Sequence, residues 1–139
     1  MTDVLFVCVH NASRSQIAKA LFLHFARQQG LPLRADSAGT QPARRVNPKV
    51  VEVMEELGID LSGEQPKLLT NEMVEGAGRV ITMGCAVDSD ACPAMVLKDV
   101  EDWGIPDPSG KSLEEVRAIR DVIRGKVEQL LVSMKPRRV

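Results

Sequence analysis

Apolar and polar positions fall into two kinds of block along the chain. "DVLFVC", residues 3–8, is a short apolar run, which predicts a strand buried on both faces. "SQIAKALFLHFARQQG", residues 15–30, spaces Ile17, Leu21 and Phe25 four apart and ends on Gly30, which predicts a helix. "LRADSAGT", residues 33–40, reads as a second strand and its exit. "NPKVVEVMEELG", residues 47–58, opens a helix with Asn47 as N-cap and Pro48 at the first helical position, and closes it at Gly58. "NEMVEGA" (71–77) allows a short helical piece, "RVITM" (79–83) a third strand and "AMVLKDV" (94–100) a fourth. The last block, residues 112–134, begins with Ser112 and Glu115 at capping-box spacing. It carries Val116, Ile119, Ile123, Val127, Leu130 and Met134 on one stripe.

Strands separated by helices imply right-handed crossovers and a parallel sheet covered on both faces. Four strands suit 139 residues, and a chain of this length without repeats or composition shifts is expected to form one domain, 1–139. Sheets of this kind bind ligands beyond the carboxyl ends of their strands. The loop after the first strand, "CVHNASR", lies there.

Composition narrows the function. Hydrophobic residues are 44% of the chain, enough for a real core, and the net charge of -1 gives no sign of nucleic-acid binding. Lys135, Arg137 and Arg138 near the end read as a solvated tail. Aromatics are 3%, with no tyrosine, which argues against base-stacking and carbohydrate surfaces. No apolar run approaches the roughly 20 residues that span a bilayer, and Asp3 stands where a signal peptide carries positive charge. The expectation is a cytoplasmic protein that binds no membrane. Three cysteines in that setting point to catalysis or metal rather than structural disulfides. Zinc fits poorly, because there is no C-x2-C pair and the histidines are His10 and His24 alone. Neither a metal nor a cofactor is expected.

The loop suggests its own chemistry. Seven residues that run from a strand into a helix can aim the N–H groups of Val9, His10, Asn11, Ala12, Ser13, Arg14 and Ser15 at one anion, aided by the helix N-terminus. Arg14 can grip a tetrahedral oxyanion with two parallel hydrogen bonds. Cys8 at the floor would sit among groups that favour a thiolate, with the Ser15 hydroxyl as a donor to it. Such a thiolate would face the central atom of the oxyanion in line. Asn11 is expected to take a left-handed conformation and tie the loop together. His10 is expected to point outward, His24 to lie on the helix surface and Trp103 to pack.

C-x5-R-S after a first strand resembles the low-molecular-weight tyrosine phosphatase fold and the arsenate reductases built on it. "SAGT" at 37–40 and "WGIPDP" at 103–108 resemble the arsenate reductases, and the similarity spans nearly the whole chain. It implies a four-stranded parallel sheet of order 2-1-3-4 with helices on both faces. The stretch "MGCAVDSDACPAM" discriminates among the family's activities. A phosphatase needs one cysteine. Reducing an oxyanion from the +5 to the +3 state needs two electrons, hence two thiols, and a third thiol can carry the disulfide outward. Cys85 and Cys92 so placed resemble the thioredoxin-linked branch of the arsenate reductases.

The resemblance implies an order of events. Cys8 attacks arsenate, Asp107 protonates the leaving oxygen, Cys85 attacks Cys8 and releases arsenite, and Cys92 attacks Cys85 to leave a disulfide for thioredoxin. Phosphate and sulfate would be weak ligands of the same loop. The segment 85–92 would have to change shape in each turnover, with Pro93 as one hinge. Some members of the family bind potassium beside the loop through a glutamate on the first helix. Here that position is Lys19, and the other positions are Gln65 and Lys67. No potassium site is therefore expected, and Lys19 is expected to replace the ion by donating to Asn11 or a nearby carbonyl. Two other readings stand beside the reductase. One is a tyrosine phosphatase, disfavoured by the scarcity of aromatics and by Gln16 where those enzymes have proline. The other is a thiol redox sensor.

Overall fold

The computed structural model describes residues 2–83 and 100–134. Its elements are β1 (Thr2–Cys8), α1 (Arg14–Gln28), β2 (Ala35–Gly39), α2 (Pro48–Glu55), α3 (Asn71–Glu75), β3 (Ala77–Thr82), β4 (Val100–Asp102) and α4 (Leu113–Met134). The strands form a parallel sheet of order β2-β1-β3-β4, as the resemblance implied. Cys8 at the end of β1 is in register with Gly39 at the end of β2. Lys67 and Leu69 bond to Gly39 through main-chain groups and so cover that end of the β2 edge.

The sheet's two faces are unequal. Val4, Phe6 and Cys8 join the larger core, which takes most of its other side chains from α1, α2 and α4. Leu5 and Val7 face a smaller cluster with Val74 of α3. This alternation along β1 is why its sequence reads as one continuous apolar run. Phe6 packs between Phe22 of α1, edge to face, and Trp103, tilted, at centroid distances of 5.9 and 5.7 Å. Trp103 therefore packs, as expected.

Helix ends follow the local chemistry. Leu31 N–H reaches Ala26 O and Gly30 N–H reaches Arg27 O, with Gly30 at φ 68°, so α1 closes in a Schellman motif. Asn47 caps α2 through the Lys49 N–H. Ser112 and Glu115 bond reciprocally ahead of α4, as their spacing predicts. The α4 stripe is wider than predicted, since Leu131 and Arg120 are also buried. Arg120 crosses to α2, where it donates to Val53 O and to Glu56. Residues 94–99 of the predicted fourth strand, 94–100, lie outside the described residues, and the described part of β4 runs from Val100 to Asp102. Its pairing with Val80, Ile81 and Thr82 sets it there, although Glu101 and Asp102 break the apolar pattern. Among the described residues, no helix is long and apolar enough to cross a membrane.

Glu56 accepts hydrogen bonds from Arg117 and Arg120, which pull its carboxyl down from 4.5 to about 2. A carboxylate depressed in the fold stabilises above its unfolded value and loses that contribution as the pH falls toward the folded value. Glu56→Gln should therefore lower the melting temperature at pH 7, and its gap to the wild type should narrow as the pH falls from 4.5 toward 2. Melting curves across that range would measure it. A gap that is constant with pH would count against the ion pairs as its source.

Candidate active site

The strand-to-helix loop forms one wall of a cavity of about 220 Å³ lined by Cys8, His10, Ala12, Ser13, Arg14, Ala43, Asn47, Asp107 and Ser109. The segment after β2 holds the loop from outside. Gln41 N–H donates to Val9 O, Ala43 N–H to His10 O and Asn47 N–H to Ala12 O, at 2.8, 3.0 and 2.8 Å. These bonds engage the loop's carbonyls and leave the N–H groups from Ala12 to Arg14 for an anion. Ser13 occupies the N-cap of α1, yet its side chain makes no capping bond.

Cys8 Sγ is buried, at 4% exposure, and takes two close contacts: Asn11 N–H at 3.1 Å and Ser15 Oγ at 2.8 Å. The wider network gives the second contact a direction. Lys67 N–H and Gln16 Nε2 both donate to Asn11 Oδ1, at 2.9 and 3.2 Å, which fixes the amide. Asn11 Nδ2 then donates to Ser15 Oγ at 2.7 Å, leaving the serine proton for the sulfur. Asn11 is the one non-glycine residue with positive φ among the described residues, at 51°, as expected of its tying role. Gly39 lies against the same turn. A Cβ there would stand 2.6 Å from Val9 O and 2.9 Å from Asn11 N, so the close approach demands glycine.

Arg14 is anchored separately. Its Nη1 donates to Met83 O at 3.2 Å and to Ile105 O at 2.9 Å, and its other guanidinium N–H groups have no partner among the described residues. Asp107 reaches the cavity from the loop after β4 and accepts from Ser109 N–H. The structure thus brings Cys8, Arg14, Ser15 and Asp107 to one end of the sheet. His10 is exposed and contacts Gln41 O, and His24 contacts Gln28 near the end of α1. Cys85 and Cys92, with the segment between them, lie outside the described residues.

Lys19 departs from expectation. It points to Asp36 and Glu64, at 3.6 and 3.7 Å, and not to Asn11. Burial pushes the Asp36 carboxyl up, but the Lys67 and Ser37 hydrogen bonds and the nearby Lys19 outweigh it and hold it below the usual range. Sequence reasoning did not foresee Gln16 as the side chain that supports Asn11. Its signal was a long polar residue on the first turn of a helix that must face the core. Among the described residues, no group of three His, Cys, Asp or Glu side chains could hold a metal. The oxygens of Asn11 suit potassium poorly, because N–H donors already use them.

A cysteine at a strand's end, beneath a turn of N–H groups and a buried arginine, is the architecture of thiol proteins that bind tetrahedral oxyanions. The chain belongs to the low molecular weight phosphotyrosine protein phosphatase family, whose model matches residues 3–139. It is 35% identical to a glutaredoxin arsenate reductase of Synechocystis, over 96% of this chain and 99% of that one. It is 34% identical to an arsenate reductase of Staphylococcus aureus, over 90% and 92%. Among solved structures it resembles an arsenate reductase in its phosphate-binding state, with TM-score 0.81, 33% identity and coverage of 97% and 100%. It also resembles the YwlE arginine phosphatase, with TM-score 0.80, 27% identity and coverage of 99% and 98%.

Proposed function

We propose that this chain reduces arsenate to arsenite, with Cys8 as the nucleophile and thioredoxin as the source of electrons. The observation that carries the reading is Cys8 Sγ under two hydrogen-bond donors at the floor of a small cavity beside Arg14. Among its described lining residues the only ring is that of His10, so nothing flat and apolar would grip an aryl phosphate. Its relatives named arsenate reductases support the substrate.

Cys8 sulfur attacks arsenic and one arsenate oxygen leaves as water, with Asp107 supplying a proton. Cys85 then attacks Cys8 sulfur. The arsenic keeps the electron pair of the broken sulfur–arsenic bond, leaves as arsenite at the +3 state, and the two thiols become a disulfide. Cys92 attacks Cys85, frees Cys8 and passes the disulfide to a pair that thioredoxin can reduce. Such a cycle suits a reducing, cytoplasmic setting. The test is arsenate-dependent oxidation of reduced thioredoxin by the purified chain. Oxidation of glutaredoxin with glutathione in its place would move the electron source, and arsenate-independent phosphate release from arylphosphates would replace the reading with a phosphatase.

Arg14 has a distinct share in this scheme. A lysine cannot span two backbone carbonyls and still offer two parallel donors to an oxyanion. Arg14→Lys should weaken phosphate binding about 10- to 100-fold, as loss of a charged hydrogen bond does. Calorimetry with phosphate would measure it. Unchanged affinity would remove Arg14 from the binding role.

A further inference from the structure

Gln16 is 2% exposed on the first turn of α1, and no chemical step above uses it. Its Nε2 lies 3.1 Å from Asn11 O, 3.2 Å from Asn11 Oδ1 and 3.5 Å from Gln65 O, while its Oε1 has no partner. Three oxygens around one amide group settle which end faces them, since an oxygen there would be repelled by all three. Oxygens that converge from two segments are also a hard cation's kind of surroundings. Here the niche is filled by the side chain's own NH2. Asn11 Oδ1 is further used by Lys67 N–H, and the ammonium groups of Lys19 and Lys67 both stand near Asp36. These two ammonium groups balance the carboxylates of Asp36 and Glu64, so no net negative charge is left there for a cation.

We propose that Gln16 is a positioning residue of the oxyanion loop, and that the donors and ammonium groups around it do not fit a potassium ion, so that the loop's geometry and Cys8 reactivity are independent of potassium. The proposal rests on Cys8 being the nucleophile. The coupling runs through bonds already described. Gln16 and Lys67 N–H hold Asn11 Oδ1, Asn11 Nδ2 holds Ser15, and Ser15 and Asn11 N–H hold the sulfur. Arg14 is fixed from another side, by Met83 and Ile105, and the loop's carbonyls by Gln41, Ala43 and Asn47, so oxyanion affinity depends less on Gln16 than the sulfur does.

That separation defines the test. Gln16→Met keeps the length and removes the donor. Alkylation of Cys8 by iodoacetamide at pH 7, read by peptide mass, should slow about tenfold, while phosphate affinity changes less than about threefold. An unchanged alkylation rate overturns the positioning role, and so does an equal loss in both. The unaltered protein gives a second measurement that does not depend on the variant's folding. Its melting temperature and Cys8 alkylation rate should be the same in potassium, sodium and choline chloride at equal ionic strength. A rise in either that is specific to potassium overturns the proposal. Neither readout contains arsenate. A Cys8 that alkylates fast in a protein that does not reduce arsenate would therefore sink the reductase reading and leave this one standing.

Discussion

Cys8→Ser is expected to abolish arsenate reduction while leaving the fold and the binding of phosphate in place. The sulfur has two tasks, attack on arsenic and donation of electrons through a disulfide, and a serine oxygen can do neither. The substitution is nearly isosteric, and the donors at Asn11 N–H and Ser15 Oγ can bond an oxygen in the same place. The loop's outer bonds to Gln41, Ala43 and Asn47 do not involve the side chain, so they persist. Turnover, circular dichroism and phosphate calorimetry on one preparation would decide the point. Loss of turnover with loss of structure would say little about chemistry, and substantial residual turnover would remove Cys8 from the mechanism.

The parts of this site that were legible in the sequence are those whose chemistry is local. β1 showed itself because both its faces are buried, and α2 because Asn47 and Pro48 sit where a helix start requires them. Cys8, Asn11, Arg14 and Ser15 lie within eight residues of one another, so their spacing alone describes a loop. The parts that were hidden depend on distant segments. Lys19 was expected at Asn11 or a nearby carbonyl, but nothing in its own stretch reveals that Asp36 and Glu64 lie within ion-pair distance. Gln16 takes the bonds expected of Lys19 because the helix turns residue 16 toward the loop and residue 19 toward β2. Gly39 had drawn notice only within a resemblance. The reason for a glycine there appears once β1 and β2 are in register and the loop folds back over the strand end. The run of the fourth strand on to Asp102 was hidden for a similar reason. Pairing with β3 keeps two acidic residues in strand geometry, with Asp102 accepting from the Thr82 hydroxyl.

Asp107→Asn should lower the turnover number for arsenate by about 10² to 10⁴, the usual contribution of a positioned general acid. The case for Asp107 is one of place. It stands on the same cavity as Cys8 and Arg14, and its Oδ1 is held by Ser109 N–H, which orients the carboxyl without hiding it from solvent. An amide of the same shape keeps the acceptor for Ser109 but cannot donate a carboxyl proton to a leaving oxygen. The substitution keeps the shape and the contact to Ser109, so oxyanion affinity should hold while turnover falls. A drop in kcat at constant KM marks a group that acts in the transition state and not in ground-state binding. Steady-state kinetics with arsenate, paired with phosphate calorimetry, separate the two. A loss of less than about threefold in kcat would mean that another group supplies the proton or that a later thiol exchange limits the rate. Single-turnover formation of the Cys8 adduct distinguishes those outcomes: a slowed adduct step keeps Asp107 as the acid, and an unchanged one removes it.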